Sequence, residues 1–133
     1  MAKEATTRTK RILLVDDSST SRMTARMLFA NHESYEFTSA CDGEEGVEKA
    51  IAELPDLILM DIEMPRMNGL EACKFLKQHQ ATKDIPIVLL TMRSEKSFAQ
   101  QGYASGCNDF LTKPVDEHKL AMVIKTHLEK SRV

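Results

Sequence analysis

Five side chains that can do chemistry come directly after short segments suited to buried strands. They are Asp16, Asp17, Asp61, Thr91 and Lys113. The carboxyl ends of parallel strands meet at one edge of a sheet, and open α/β sheets bind their ligands there. If these segments form such a sheet, three carboxylates, a hydroxyl and an ammonium converge on one pocket.

The chemistry of this set points to a phosphoryl group. Three close carboxylates repel one another, and burial raises their pKa values. A divalent cation relieves the repulsion, and oxygen ligands with room for water favour Mg2+. Mg2+ and the Lys113 ammonium would neutralise phosphoryl oxygens, and Thr91 can donate a hydrogen bond to one of them. We expect Asp16 and Asp17 to hold the metal and Asp61, which follows the central strand, to act as the nucleophile.

A plainer interpretation exists for each residue on its own. An aspartate after a strand is commonly a helix N-cap or a turn residue. Thr91 can simply end a strand, and Lys113-Pro114 can simply turn the chain. The functional interpretation depends on the joint placement of all these residues at successive strand ends.

The elements that must position these residues alternate between two patterns. Short apolar or β-branched segments predict strands over residues 12–15, 35–41, 57–60, 87–90 and 109–112. Helical spacing of apolar residues predicts helices over 19–31, 44–53, 70–80 and 94–105, and a last helix capped by Asp116. In the first of these helices Met23, Met27 and Ala30 are spaced to share one face. Five βα units predict a parallel sheet with right-handed crossovers and helices on both faces.

Composition limits the classes of protein to consider. The chain has 133 residues, of which 42% are hydrophobic, which suits one globular domain. Lys and Arg number 18 against 20 Asp and Glu, a net charge of −2, which argues against a dedicated nucleic-acid binder. No apolar stretch is long enough to span a membrane, and the polar N-terminus does not look like a secretory signal. We expect residues 1–9 to be a flexible tail and residues 10–133 to be the domain.

The cysteines indicate no metal or redox site. Cys41, Cys73 and Cys107 are widely spaced, and the sequence contains no CxxC pair. We expect them to be buried or half-buried small hydrophobes in a reducing, cytoplasmic compartment.

Four motifs together resemble the response-regulator receiver domains of two-component signalling. They are Leu14-Val15-Asp16-Asp17-Ser18, the segment 59–69 around Asp61, Leu90-Thr91, and Phe110-Leu111-Thr112-Lys113-Pro114. The match covers about residues 10–130, and the intervals between motifs are similar to those of single-domain chemotaxis regulators. This resemblance implies a flavodoxin-like fold with strand order 2-1-3-4-5, an order for which chemotaxis receivers are a standard example. The length and the Asp16-Asp17-Ser18 motif lean toward a stand-alone regulator.

The resemblance also implies a role for each matching residue. Asp61 would accept a phosphoryl group from a partner histidine kinase or histidine phosphotransfer protein. Asp17 and Asp61 would ligate Mg2+, with Asp16 helping and the backbone carbonyl of Glu63 completing the set. Thr91 and Lys113 would bind phosphoryl oxygens, and the Lys113–Pro114 peptide bond would be cis. Thr91 would then move toward the phosphoryl group while Phe110 rotates inward, which changes the face of helix 4, strand 5 and helix 5 that binds a downstream protein.

Four positions depart from the family pattern or vary within it. Met92 follows Thr91 where a small residue is usual, and it either narrows access to Asp61 or swings aside. Glu63 and Arg93 carry opposite charges, and we hypothesise that they pair across the mouth of the pocket. Phe110 stands where a Tyr would carry a hydroxyl; without the resemblance it would be interpreted as a core aromatic.

Two other functions share some of these features. A phosphohydrolase of the haloacid-dehalogenase type also uses Mg2+, a nucleophilic Asp and a Lys, but 133 residues leave no obvious cap domain. A pseudo-receiver would bind partners without phosphorylation, although every chemical position is retained here. The expected protein is therefore a phosphoacceptor that catalyses only its own phosphorylation and dephosphorylation, as a monomer or a phosphorylation-linked dimer.

Overall fold

The computed structural model describes residues 9–28, 34–92, 96–114 and 116–130. Five strands form one parallel sheet in the order β2-β1-β3-β4-β5. The strands are β1 (Lys10–Val15), β2 (Tyr35–Ala40), β3 (Leu57–Asp61), β4 (Ile87–Thr91) and β5 (Asp109–Thr112). The predicted α/β class and strand order are confirmed.

Five helices connect or follow the strands, and together they cover both faces of the sheet. They are α1 (Ser19–Leu28), α2 (Gly43–Glu53), α3 (Gly69–Gln78), α4 (Lys96–Ala104) and α5 (Glu117–Lys130). Within the described ranges no helix is both long enough and apolar enough to cross a bilayer. Helix α2 starts one residue before its predicted range, and α3 ends two residues before the end of its predicted range. Residues 29–31, predicted as the end of α1, and residues 94–95, predicted as the start of α4, lie outside the described residues.

The central strands are buried on both faces because a parallel sheet is covered by helices on each side. Every residue of β3 and β4 is buried. Alternate residues of these strands enter two separate cores: Ile58 and Leu89 pack with α2 and α3, whereas Leu59 and Val88 pack with α5. This explains why the sequence shows continuous apolar segments rather than alternating ones.

One prediction about burial, that for Cys41, was wrong, and the sequence left open which face of α1 is exposed. Met23 and Met27 of α1 are 60% and 68% exposed, whereas Ala25 and Leu28 pack against the sheet. Residues 23 and 27 are one helical turn apart, so they share a face, but that face points to solvent. Cys41 is exposed since it follows the end of β2, while Cys73 and Cys107 are buried as expected.

The loop between β3 and α3 is packed tightly against the end of β3. Its end is fixed by a capping box, in which Asn68 accepts from the backbone N–H of Glu71 and the Glu71 carboxylate accepts from that of Asn68. Gly69 donates its N–H to the Ile62 carbonyl at 2.9 Å. A Cβ added to Gly69 would lie 2.3 Å from the backbone oxygen of Asp61, so only glycine fits there without a backbone shift.

We predict that Gly69→Ala lowers the free energy of unfolding by about 2 kcal/mol. Alanine normally stabilises a helix relative to glycine by about 1 kcal/mol. A loss of stability would therefore report the overlap of the alanine Cβ with the Asp61 backbone. Urea denaturation would measure the change. Lys74→Ala, on the exposed side of the same helix, is the control and should change stability by less than about 0.5 kcal/mol. A stabilised Gly69→Ala variant would contradict the prediction.

Candidate functional site

The ends of β1, β3 and β5 bring the predicted carboxylates and the predicted ammonium together. Asp16, Asp17 and Asp61 each offer a carboxylate oxygen, and these oxygens lie within 4.8 Å of one another. The Lys113 ammonium lies 3.0 Å from Oδ2 of Asp16 and 3.3 Å from Oδ2 of Asp61. Residues nearly 100 positions apart in the chain thus meet at the carboxyl edge of the sheet.

Asp61 is the most perturbed of these acids. Asp61 is 5% exposed at the end of β3, and no donor among the described residues reaches its buried Oδ1. Burial raises the pKa of Asp61 to about 6, since attraction to Lys113 only partly offsets the desolvation and Asp16 adds repulsion. A buried oxygen without a hydrogen bond is costly, so this one is suited to a cation or a phosphoryl group.

The neighbouring acids differ in how firmly they are held. Asp16 is buried, and its Oδ1 accepts the backbone N–H of Ser18 at 2.9 Å. The Arg22 guanidinium also donates to the backbone oxygen of Asp16 at 2.5 Å. Asp17 is exposed at the mouth of the pocket. One carboxylate is therefore fixed in place, and the other faces solvent, from which a hydrated cation would arrive.

Lys113 is held both by its backbone and by its charge. Its N–H donates to the Thr91 carbonyl at 2.6 Å, and the Lys113–Pro114 peptide bond is cis, as the resemblance implied. Burial lowers the pKa of the ammonium. Two carboxylates outweigh this effect: Asp16 accepts a hydrogen bond from the ammonium and attracts it, and Asp61 attracts it as well. The pKa of Lys113 is consequently raised, which keeps it a cation at neutral pH.

The residues present fit a magnesium ion. Three carboxylates lie together, and the Lys113 ammonium, which contacts two of them, does not balance their charge, so negative charge is in excess among these residues. The oxygen of Asp61 that lacks a donor adds an unused ligand atom. Hard oxygen ligands with one side open to water are the set that Mg2+ prefers. The expected contribution of the Glu63 carbonyl stays a prediction.

The structure places Thr91 against Glu63, a contact that the sequence interpretation missed. The Thr91 hydroxyl donates to Oε2 of Glu63 at 2.5 Å. The strands β3 and β4 stay hydrogen-bonded one residue beyond Asp61, because the N–H of Ile62 donates to the Leu90 carbonyl. The register places residue 62 opposite residue 91, and the Glu63 side chain reaches the Thr91 hydroxyl from the next position. The hypothesised partner of Glu63, Arg93, lies outside the described residues.

Phe110 lies on β5, beside the described part of α4. The residue is half-buried, and its ring centroid is 6.4 Å from that of Tyr103. A Cβ on Gly102 would come within 2.8 Å of the Phe110 ring, so the helix and the ring are in close contact. The aromatic thus occupies the boundary between the core and the surface.

A cavity of about 380 Å³ adjoins the site on the α1 side. Asp16 and Lys113 line its polar end, and Leu14, Leu90 and Leu120 line its apolar part. Met92 also lines the cavity and is 75% exposed. The methionine therefore lies beside the access route to Lys113 rather than in the core.

Known proteins are similar to this chain in both sequence and fold. PilH of Pseudomonas aeruginosa is 37% identical over 118 residues, which cover 89% of this chain and 97% of PilH. The response regulator PleD of Caulobacter vibrioides is 43% identical over 108 residues, but the chain spans 23% of the length of PleD. The structure of the Vibrio cholerae chemotaxis protein CheY4 superposes with a TM-score of 0.83 at 31% identity, covering 90% of this chain and 99% of CheY4.

These similarities confirm the resemblance to chemotaxis-type receivers. The relatives that are longer than this chain share only part of their length with it, and PhoP of Bacillus subtilis shares half. The family of response regulator receiver domains matches residues 12–125, which include every residue predicted to take part in the chemistry. This chain belongs to the response regulator receiver domain family of two-component signalling.

Proposed function

We propose that Asp61 accepts a phosphoryl group in a Mg2+-dependent reaction. The donor is a phosphohistidine on a sensor histidine kinase or a histidine phosphotransfer protein. The observation that carries this proposal is the buried Asp61 carboxylate, with Oδ1 lacking a donor, beside the Lys113 ammonium and two further acids. Such a carboxylate is poorly solvated and has a cation in place, which favours nucleophilic attack on phosphorus.

The reaction exchanges one bond to phosphorus for another. A carboxylate oxygen of Asp61 forms the new P–O bond as the P–N bond to the donor imidazole breaks, and the electron pair stays on the nitrogen. Lys113 balances charge on the transferred oxygens, and Thr91 donates a hydrogen bond to one of them. Asp16, Asp17 and Asp61 would hold Mg2+, and the ion would supply positive charge that neutralises the phosphoryl oxygens. Attack by water on phosphorus later releases phosphate and restores the carboxylate.

We further propose that phosphorylation changes the surface made by α4, β5 and α5. Thr91 and Phe110 are on the adjacent strands β4 and β5, and Phe110 contacts α4 through Gly102. Movement of the Thr91 hydroxyl toward the phosphoryl group leaves space that Phe110 can enter. The phosphoryl group then biases an equilibrium between two packings of the domain, and a downstream protein binds one of them.

The remaining assignments follow the family. We propose a cytoplasmic location, a monomer or a phosphorylation-linked dimer, a tail over residues 1–9 and a receiver domain over 10–133. Direct nucleic-acid binding is not proposed, because the charge of −2 gives no basic excess. Catalysis by the domain is limited to gaining and losing its own phosphoryl group.

We predict one alkali-labile phosphoryl adduct per chain when the protein is mixed with Mg2+ and acetyl phosphate. Intact-mass spectrometry would detect it. Asp61→Asn should abolish the adduct because an amide cannot form the acyl phosphate, and EDTA should suppress it in the parent. Glu48→Gln, an exposed change on α2, is the control and should leave the adduct intact. A persistent adduct in Asp61→Asn would overturn the assignment, and hydrolysis of stable phosphate monoesters would favour a phosphohydrolase.

We also predict that the ionised Asp61 carboxylate lowers the free energy of unfolding above pH 6 when no metal is bound. Its pKa is about 6 when folded and near 3.8 when unfolded, so the folded state holds the proton more tightly. The stability that protonation gives is complete below pH 4 and lost as the pH rises through 6. In EDTA at pH 8, Asp61→Asn should therefore raise the free energy of unfolding by about 1–2 kcal/mol.

The measurement is urea denaturation at pH 4 and pH 8. The difference between Asp61→Asn and the parent should shrink toward zero at pH 4. Added Mg2+ should stabilise the parent at pH 8 more than the variant, since it binds the folded carboxylates. Equal stability of the two proteins at pH 8 in EDTA would show that the buried charge has no net cost.

A further inference from the structure

We infer that Glu63 is a positioning residue. Its carboxylate holds the Thr91 hydroxyl in the unphosphorylated protein and competes with the phosphoryl group for the hydrogen bond that this hydroxyl donates. The inference rests on the proposed phosphorylation of Asp61. It assigns to Glu63 a side-chain role that is separate from the expected role of its backbone carbonyl in binding the metal.

The geometry of the pair carries the inference. Thr91 is fully buried at the end of β4, and its Oγ1 is 2.5 Å from Oε2 of Glu63. The hydrogen bond from the Ile62 N–H to the Leu90 carbonyl continues the sheet one residue beyond β3 and holds the backbone directly before Glu63 at the end of β4. The exposed Glu63 side chain turns back from the surface to reach this hydroxyl. The contact is thus built by the sheet rather than by a freely moving loop.

A hydroxyl has a single proton to donate, and this limit creates the competition. Thr91 gives its proton to the Glu63 carboxylate and cannot give it to a phosphoryl oxygen at the same time. Both acceptors are anionic and form charge-assisted hydrogen bonds of similar strength. Phosphorylation therefore exchanges one anionic acceptor for another, and the gain from the Thr91 bond is reduced by the loss of the Glu63 bond.

Glu63 also acts through its charge. Its carboxylate is close enough to Asp61 to contribute to the raised pKa of that group, after the larger effects of burial, Lys113 and Asp16. A dianionic phosphoryl group on Asp61 would meet the same repulsion. Charge and hydrogen bonding both oppose phosphoryl binding, so the test has to separate them.

Beryllofluoride with Mg2+ is a suitable probe, since it binds an aspartate carboxylate as a phosphoryl mimic without a chemical step. Its dissociation constant can be measured by calorimetry for the parent, Glu63→Gln and Glu63→Ala. We expect Glu63→Ala to bind about tenfold more tightly, which corresponds to one charge-assisted hydrogen bond removed from the competition. Glu63→Gln keeps an acceptor for Thr91 and should fall between the parent and Glu63→Ala. Equal affinities of Glu63→Gln and Glu63→Ala would mean that charge alone acts, and would overturn the inference.

A double-mutant cycle isolates the contact with Thr91. In a Thr91→Val background the hydroxyl is gone, so Glu63→Ala should improve affinity much less than in the parent. Thr91→Ser keeps the hydroxyl and should retain the full effect of Glu63→Ala. Glu48→Ala removes the same charge from an exposed position of α2 and should leave the affinity unchanged. An undiminished effect of Glu63→Ala in Thr91→Val would overturn the inference.

A second measurement needs neither metal nor phosphoryl mimic. The χ1 rotamer of Thr91 can be read from NMR couplings in the free protein, and Glu63→Ala should redistribute it while Glu48→Ala should not. An unchanged rotamer distribution in Glu63→Ala would contradict the inference. Failure of the parent to bind beryllofluoride or to form the acyl phosphate would instead count against the proposed function, so the two failures are distinguishable.

Discussion

The contact of Lys113 with Asp16 and Asp61 is the interaction on which the site depends. Burial raises the pKa of Asp61, and attraction to the Lys113 ammonium at 3.3 Å opposes this rise. The same ammonium lies 3.0 Å from Asp16, yet its one charge does not balance three acids. The remaining imbalance suits the proposed divalent ion. A phosphoryl dianion can enter only where such cations are already present.

The parallel sheet brings Lys113 into contact with Asp16 and Asp61. Each strand ends at the same edge, so the strand ends bring together residues that no local segment could assemble. The close packing of Gly69 on the backbone of Asp61 fixes the loop that follows β3. The backbone that carries the Asp61 carboxylate is thereby held in place, and Oδ1 of that carboxylate lacks a donor among the described residues. The fold thereby retains an unfavourable arrangement that a bound ion would relieve.

The strands and the residues at their ends could be predicted from sequence, because burial on both faces leaves continuous apolar segments whose ends mark the site. The strand order came from the resemblance to receiver domains. The exposed face of α1 could not, since Met23 and Met27 have helical spacing whichever way the helix is turned. Only the packing of Ala25 and Leu28 on the sheet decides that orientation. The Glu63–Thr91 bond was also missed, because it depends on how the Glu63 side chain turns after the end of β3, which the hydrophobic pattern leaves open.

That bond bears on how a receiver sets the balance between its two states. A hydroxyl satisfied by Glu63 stabilises the unphosphorylated arrangement, while the strained electrostatics at Asp61 destabilise it. The two effects are on adjacent strands and oppose each other, so the free-energy gap between the states is smaller than the larger effect alone. A small gap would allow one phosphoryl group to shift the population, because a ligand moves an equilibrium only by its differential affinity. In the proposed mechanism Glu63, two places after Asp61, therefore tunes the response without touching phosphorus.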